Sequence, residues 1–335
     1  MFTGKTKARN RVKSYFRAFV VRRKMMTKND FIYEVTDRIR HRAGSSCEVQ
    51  VKKVPYNNGQ HLTGIILKKN PGVSPLIYLD KFYDHYVSGS MSMVEIVDEV
   101  VGIQEDGGLQ ELTSDGRLAD YEFMRSKIRL RLGNYEANKV RLEKMPHVLF
   151  LDTAIMFYIE IDSNRQRTLT AAVEHRHLEM WGIEKERLYE DALHNMRVYC
   201  PVRIRPVMNV IKDIEDKVYE ELHISMPCEE TLQNGGFWIM AAEAGGQGSA
   251  ALIYGNGLKR FAQLIKDDIV ILPSSLHEVI LIPNGLAGGE YGHFSRMVEE
   301  VNNTEILKED RLSNSVYLYS RDNDSISIAH KGPDL

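Results

Sequence analysis

The sequence predicts an α+β fold built from two associated domains. Strand-like and helix-like segments follow one another without the strict strand–helix alternation of a doubly wound parallel sheet. Several strand-like runs come in pairs joined by turn residues, which predicts mixed or antiparallel sheets with helices packed against them. The chain has 335 residues, more than the roughly 250–300 at which a single hydrophobic core stops growing, so we expect two domains.

The first domain is predicted to extend from residue 30 to residue 145. A helix begins at Thr27 or Asn29, because both residue types cap helices and an apolar stripe follows at helical spacing. Two strands, residues 47–54 and 62–67, flank the tight-turn signal Asn57-Asn58-Gly59. The other elements predicted here are a strand over residues 76–79 and helices over residues 80–86, 91–101, 121–132 and 137–145.

The second domain is predicted from residue 146 to residue 335, and two short apolar runs are its most distinctive feature. Residues 269–272 and 279–282 are apolar at every position and bounded by prolines, which indicates strands buried on both faces in the middle of a sheet. The other predicted strands cover residues 154–161, 169–173, 237–243, 249–254, 316–319 and 325–328. Helices are predicted over residues 174–181, 184–196, 206–222, 257–266 and 290–301.

Composition and cysteine usage indicate a soluble, cytoplasmic protein. Hydrophobic residues make up 43% of the chain and charged residues 27%, which is typical of globular domains. No run reaches the roughly 18 apolar residues that a membrane span needs, and no apolar signal core predicts export. Cys47, Cys200 and Cys228 lie far apart, which suits a reducing compartment and argues against a disulfide framework or a zinc cluster.

Residues 1–29 form a leader of unusual charge. Residues 5–24 carry nine basic side chains and no acidic one, whereas the rest of the chain holds 35 basic and 46 acidic residues. Apolar residues spaced among these cations predict a basic amphipathic helix for nucleic acid, an anionic membrane or a partner groove. The alternative is a disordered tail, or a segment upstream of a true start at Met25 or Met26. The acidic remainder disfavours a general nucleic-acid role for the globular part.

A set of short motifs extends over most of the chain, from about Asp30 to Ile328. They are the Asn-Gly hairpin with Ser74-Pro-Leu-Ile-Tyr-Leu79, Phe150-Leu-Asp152 with Phe157-Tyr158, His177-Leu-Glu-Met-Trp-Gly-Ile183 leading into residues 186–195, Ala250-Ala-Leu-Ile-Tyr254, Leu272-Pro-Ser-Ser-Leu-His-Glu-Val279 and Leu312-Ser-Asn-Ser-Val-Tyr-Leu-Tyr319. On these motifs the chain resembles a bacterial domain family of unknown function that is common in anaerobic gut bacteria. The resemblance implies the fold family, and it transfers no activity, substrate or catalytic residue.

The connection between the two central apolar runs holds the densest group of reactive side chains. Ser274, Ser275, His277 and Glu278 supply a hydroxyl, an imidazole and a carboxylate, the types that a hydrolase uses. Ser275 and His277 are two residues apart, so on a strand they share one face. The surroundings lack the Gly-x-Ser-x-Gly elbow that exposes a nucleophile. The favoured alternative is a tight connection in which the hydroxyls bond the backbone and His277 satisfies a buried polar partner.

Two further motifs are candidates for ligand or metal binding. His175 and His177 would chelate a metal on a strand, but the predicted helix start here turns their rings about 200 degrees apart. Gly255 and Gly257 lie between a predicted strand and a predicted helix, where helix N-terminal amides can hold an anion. They lack the dinucleotide and P-loop fingerprints, so a simple turn into the helix is the alternative.

These observations favour a non-enzymatic cytoplasmic binding or interaction protein with no cofactor and a protein partner. The alternative is a hydrolase that uses Ser274 or Ser275 with His277. A third hypothesis assigns nucleic-acid or anionic-membrane binding to leader residues 5–24.

Overall fold

A computed structural model describes residues 26–44, 47–68, 76–105, 116–163, 168–207, 236–242, 248–254 and 256–335. Helices and antiparallel sheets alternate through these ranges, so the fold class is α+β as predicted. The described residues do not include the leader before Met26, residues 208–222 of the predicted helix, Cys228 or Gly255. Within the described residues, no helix is both long and apolar enough to cross a membrane.

The spatial contacts divide the chain into two compact units. Unit 1 comprises Met1–Val54 and Leu62–Gly107, and unit 2 comprises Pro55–His61 and Gly108–Leu335. The sequence pattern predicts a boundary at residue 145, whereas the spatial division falls at residue 107. The turn between the first two strands is grouped with unit 2 because its contacts are made there.

In its described residues, unit 1 combines a small sheet with three helices. Helix α1 (Lys28–Ala43) begins with a capping box between Thr27 and Asp30, which confirms the predicted start. Phe31, Val35 and Ile39 form its buried stripe. Strands β1 (Glu48–Pro55), β2 (His61–Lys68) and β3 (Ile77–Tyr78) form a sheet in that order. Helices α2 (Leu79–Ser88) and α3 (Met93–Glu105) follow.

The first sheet of unit 2 contains a strand where the sequence predicts a helix. The prediction of a helix over residues 121–132 is wrong beyond α4 (Tyr121–Met124), since a 3-10 turn and strand β4 (Ile128–Asn134) follow. The segment Ile-Arg-Leu-Arg-Leu alternates with period two, and the strand buries its three apolar side chains. The following elements are α5 (Tyr135–Leu142), β5 (His147–Phe150), β6 (Thr153–Ser163) and β7 (Thr168–Ala172), with β4, β5 and β7 all paired to β6.

The second sheet of unit 2 has six antiparallel strands in the order β13-β12-β10-β11-β9-β8. Strands β10 (Ile269–Leu272) and β11 (Val279–Pro283) pair with each other in its middle, as predicted. Ile269 and Ile271 face the main core, while Val270 and Leu272 face a second cluster under helix α10 (Tyr291–Thr304). These strands are therefore buried on both faces. The outer strands are β8 (Val202–Pro206), β9 (Trp238–Ala242), β12 (Val316–Ser320) and β13 (Ser325–His330).

One prediction near the glycine-rich part of unit 2 is wrong. Residues 249–254 do not form a strand, because Gly248–Leu252 adopt a buried 3-10 turn. Pro206 is the last residue of strand β8 and not the first of the predicted helix, whereas the next residue, Val207, is helical. Because β8 is the last strand of the sheet order, proline is tolerated there. The remaining helices are α6 (His175–Trp181), α7 (Lys185–Tyr199), α8 (Gly257–Ile265) and α9 (Asn284–Ala287).

Candidate functional site

Several of the motifs recognised in the sequence converge on residues 308–317 of unit 2. Leu276 N–H donates to the Asp310 carbonyl over 2.9 Å, and Leu312 N–H donates to the Ser274 carbonyl over 3.0 Å. An isolated bridge pairs Ser275 with Arg311 between these bonds. The β10–β11 connection therefore binds residues 310–312 as a neighbouring strand would. The cluster around this contact, which we call the polar junction, comprises Asn57, Asn58, Asn134, Asn138, Asp152, Ser275, His277, Asp310, Ser313, Ser315 and Tyr317.

The predicted serine and histidine residues lie together in the polar junction. Ser275 is 3% exposed, and its hydroxyl accepts a hydrogen bond from the His277 backbone N–H over 3.0 Å. The half-exposed His277 ring places Nε2 3.4 Å from Asp310 Oδ2. Ser274 contributes its carbonyl to the backbone pairing, and Glu278 is exposed. The described bond of the Ser275 hydroxyl is thus the one expected of a tight connection. Sequence reasoning missed Asp310, because no local pattern links it to His277.

Asp152 is the most heavily bonded carboxylate of the polar junction. It accepts hydrogen bonds from the hydroxyls of Ser313 and Ser315, both over 2.7 Å, and from the hydroxyl of Tyr317. Burial raises the pKa of Tyr317 well above its usual range, and the nearby Asp152 charge raises it further. Tyr317 therefore stays protonated, and its hydroxyl donates a hydrogen bond to the Asp152 carboxylate.

The turn that presents Asp152 is strained. Leu151 and Asp152 form the two-residue loop between β5 and β6, with Phe150 and Thr153 as the closing pair. Leu151 has a φ of 56°, a left-handed conformation that costs a residue with a Cβ about 1–2 kcal/mol. The three bonds to Asp152 hold this turn against residues 313–317, which explains how the strained conformation persists.

Asparagine side chains connect the β1–β2 turn to the same segment. Asn58 donates through Nδ2 to the carbonyls of Lys308 and Arg311 over 2.8 and 2.7 Å. Asn58 and Asn138 also bond each other twice, each over 2.9 Å, through a backbone amide and through both side chains. Asn57 binds the Glu309 carbonyl over 2.7 Å. The positive φ of Asn58, 53°, is one that asparagine tolerates better than most residues.

The two histidines of the predicted metal motif have different surroundings. His175 is the exposed first residue of α6. His177 Nδ1 accepts the Glu174 backbone N–H over 2.9 Å, and its ring stacks on Trp181 at 5.7 Å between centroids. Burial lowers the pKa of His177, and Arg176 lowers it further. Among the residues that the structure describes, no group of three or more His, Cys, Asp and Glu could hold a metal ion.

A cavity of about 240 Å³ lies where α8 approaches β12 and β13, close to the predicted glycine motif. Gly257 is the first residue of α8, as the helix-entry interpretation predicts. Half of the residues that line the cavity are apolar: Phe150, Ala251, Leu252, Leu258 and Ile326. Its polar part, which we call the cavity rim, comprises Asn256, Lys259, Tyr319, Asp324 and Ser325.

The cavity rim is held by bonds to one carboxylate. Lys259 Nζ lies 2.6 Å from Asp324 Oδ2, and the Tyr319 hydroxyl donates to Asp324 Oδ1 over 2.6 Å. The hydrogen bond from Lys259, followed by that from Tyr319, lowers the pKa of Asp324. The sequence shows Asp324 only as part of a hairpin turn, so its pairing with Lys259 was not predicted.

The comparisons with known proteins agree with the resemblance seen in the motifs. One family model matches residues 28–321, and its description is "Family of unknown function (DUF5688)". No curated protein matches the chain, and no solved structure matches it. The match includes both the polar junction and most of the cavity rim.

Proposed function

The chain belongs to DUF5688, a family of unknown function, and from its own geometry we propose a non-enzymatic protein that binds a small ligand in the cavity. The observation that carries this proposal is the state of the most reactive cluster. The Ser275 hydroxyl is buried and accepts a hydrogen bond from the His277 backbone N–H, and the His277 ring pairs with Asp310. The serine and histidine that a hydrolase would use thus hold the β10–β11 connection against residues 310–312.

The cavity supports binding because apolar side chains and polar groups line it in equal number and converge on one small volume. Its volume of about 240 Å³ is below the roughly 300–1,000 Å³ typical of drug-sized ligands, so the ligand is small. Lys259 presents a cation and Asp324 an anion at one side of the walls. We infer a ligand that carries a hydrogen-bond acceptor and a donor on a short apolar body.

Native mass spectrometry of the gently purified chain tests this proposal. We expect a reproducible added mass on the wild-type protein. Ser325→Trp should remove it, because an indole at this exposed lining position would fill the cavity mouth. Ser327→Trp is the matched control, since Ser327 is exposed on the same strand and is not part of the lining. A bare mass for the wild type, or equal occupancy in both variants, would contradict the proposal, and an added protein mass would favour the protein partner.

The hydrolase alternative has a direct test in the same preparation. We expect the wild type and Ser275→Ala to hydrolyse p-nitrophenyl acetate at the same background rate, because the Ser275 hydroxyl bonds the backbone. A wild-type rate that exceeds buffer and disappears in Ser275→Ala and His277→Ala would replace the binding proposal by the hydrolase. Ser327→Ala serves as the control for removing an exposed serine hydroxyl.

The proposal also includes the cellular compartment of the protein. We place the protein in the bacterial cytoplasm, because the cysteine pattern suits a reducing environment and Cys200 is a buried free thiol. Binding of nucleic acid or anionic membrane is proposed only for leader residues 5–24. That binding should weaken steeply as the salt concentration rises.

A further inference from the structure

We propose that Asn256 is a site of spontaneous deamidation, which places a new carboxylate at the start of α8 and on the cavity rim. The described residues contain three Asn-Gly pairs, at residues 58–59, 256–257 and 284–285. The reaction needs the backbone nitrogen of the glycine to reach the side-chain carbonyl carbon of the asparagine. Hydrogen bonds that hold either group therefore slow it. This inference does not depend on the proposed ligand.

Asn58 is held by its side chain. Its Nδ2 donates to two backbone carbonyls, and its Oδ1 accepts from Asn138 Nδ2. Reaching the attack geometry would break all three of these bonds. The fold thus protects the Asn-Gly pair that forms the β1–β2 turn.

Asn284 is held at both reacting groups. Its Oδ1 accepts the Tyr291 hydroxyl over 2.7 Å. The attacking nitrogen, that of Gly285, donates its proton to Asp267 Oδ2 over 2.7 Å. A nitrogen that is bonded to a fixed carboxylate is directed away from the neighbouring side chain.

Asn256 differs from both. It is exposed, and although it occupies the N-cap position of α8, its side chain makes no capping hydrogen bond. Gly257, whose N–H belongs to the unsatisfied first turn of the helix, carries no Cβ to hinder the attack. The neighbouring Gly255 in the sequence likewise adds no side chain. Among the three described pairs, this is the one in which neither reacting group has a described hydrogen bond to break.

The reaction consumes one water and releases one ammonia without any redox change. The Gly257 nitrogen loses its proton to solvent base and bonds to Cγ of Asn256, and the side-chain nitrogen leaves as ammonia. The resulting cyclic imide is opened by water at either carbonyl. One opening gives aspartate, and the other gives isoaspartate, in which the side-chain methylene joins the backbone.

The two products have opposite effects on α8. An aspartate at the N-cap accepts bonds from the first-turn amides and interacts favourably with the helix dipole. It also adds a negative charge to the rim that holds Lys259 and Asp324. An isoaspartate lengthens the backbone at the helix start, so it weakens the same turn.

Peptide mapping by mass spectrometry of the full chain, aged at mildly alkaline pH, tests the proposal. We expect Asn256 to convert to aspartate and isoaspartate at least roughly tenfold faster than Asn58 and Asn284, since each must break hydrogen bonds to react. In urea the three rates should become similar, because those bonds are lost. Equal rates in the folded protein, or an Asn256 that reacts only in urea, would overturn the proposal.

Two variants separate the chemistry from simple exposure. Gly257→Ala adds a Cβ whose nearest described neighbour, Val202 Cγ1, lies at 3.2 Å, so the fold should accept it after a small shift while the reaction slows. Unchanged conversion in Gly257→Ala would contradict attack by this nitrogen. Asn256→Asp reproduces one product, and we expect it to raise the melting temperature, whereas Asn256→Ala should not. A melting temperature for Asn256→Asp no higher than that of Asn256→Ala would contradict the capping role.

Discussion

The polar junction and the cavity rim use the same residue types in opposite ways. In the junction, Asp152 accepts hydrogen bonds from the hydroxyls of Ser313, Ser315 and Tyr317, all of which are nearly or fully buried. On the rim, Asp324 is bonded by Lys259 and Tyr319, but Asp324 and Lys259 are about half exposed. A buried polar group has to be bonded within the protein, whereas an exposed one can exchange its partner for water or a ligand.

The comparison shows why a dense group of reactive residue types need not be an active site. In the β10–β11 connection, the Ser275 side chain is buried and the His277 ring is paired with Asp310. Changes in the junction should therefore reduce the free energy of unfolding. Changes on the rim should instead affect ligand binding or the deamidation of Asn256.

Asp152→Ala should cause the largest loss of stability. The change leaves three hydroxyl donors without their acceptor, including the fully buried Tyr317. We expect the free energy of unfolding to fall by about 3 kcal/mol or more, measured by urea denaturation. Asp322→Ala is the matched control, because that side chain is 85% exposed, and it should change stability by less than about 0.5 kcal/mol. A comparable small change at both positions would show that the junction is not a stabilising centre.

Substitution of Asn58 separates its hydrogen bonds from its backbone conformation. Asn58→Gly loses the side-chain bonds to Lys308, Arg311 and Asn138 but keeps the positive φ at no steric cost. We expect it to lower the free energy of unfolding by about 1–3 kcal/mol. Asn58→Ala should lower it by about 1 kcal/mol more, since alanine is strained at this φ. Equal stability of the two variants would mean that the left-handed conformation is lost when the side chain is removed.

Leu151 offers a test of strain beside the strongest carboxylate contact. Because its side chain also packs partly against the main core, removing the side chain mixes two effects. Comparing Leu151→Gly with Leu151→Ala isolates the backbone term, and we expect the glycine variant to be more stable by about 1 kcal/mol. Chemical denaturation measures the difference. If alanine proves the more stable replacement, the left-handed turn is not strained.

The pH dependence of α6 should give the smallest effect. His177 accepts the Glu174 N–H only when its Nδ1 is unprotonated, and burial lowers its pKa in the folded protein. The unfolded chain then binds more protons below a pH of about 6.5, so stability falls as the pH drops from there through the folded pKa. His177→Gln keeps an acceptor for the capping box without titrating. Its melting temperature should depend less on pH than that of the wild type, and an equal dependence would contradict this role.

The fold was most predictable where the signal is local. The helix at Lys28–Ala43, the central strands β10 and β11, and the final hairpin all follow from caps, apolar runs and turn residues within a few positions. Strand β4 was missed although its alternation is visible, because arginine and leucine also favour helices. The 3-10 turn at Gly248–Leu252 was missed because a short apolar run does not distinguish a buried strand from a buried turn.

By itself the sequence determined the α+β class, the two buried central strands and membership of the family. Local periodicity, capping and motifs carry that information within short stretches of chain. Only the tertiary structure decided which polar groups meet. Asp152 and Tyr317 are 165 residues apart, and Lys259 and Asp324 are 65 apart. Contacts across such separations are formed when the sheets pack, and they leave no pattern in the residues on either side.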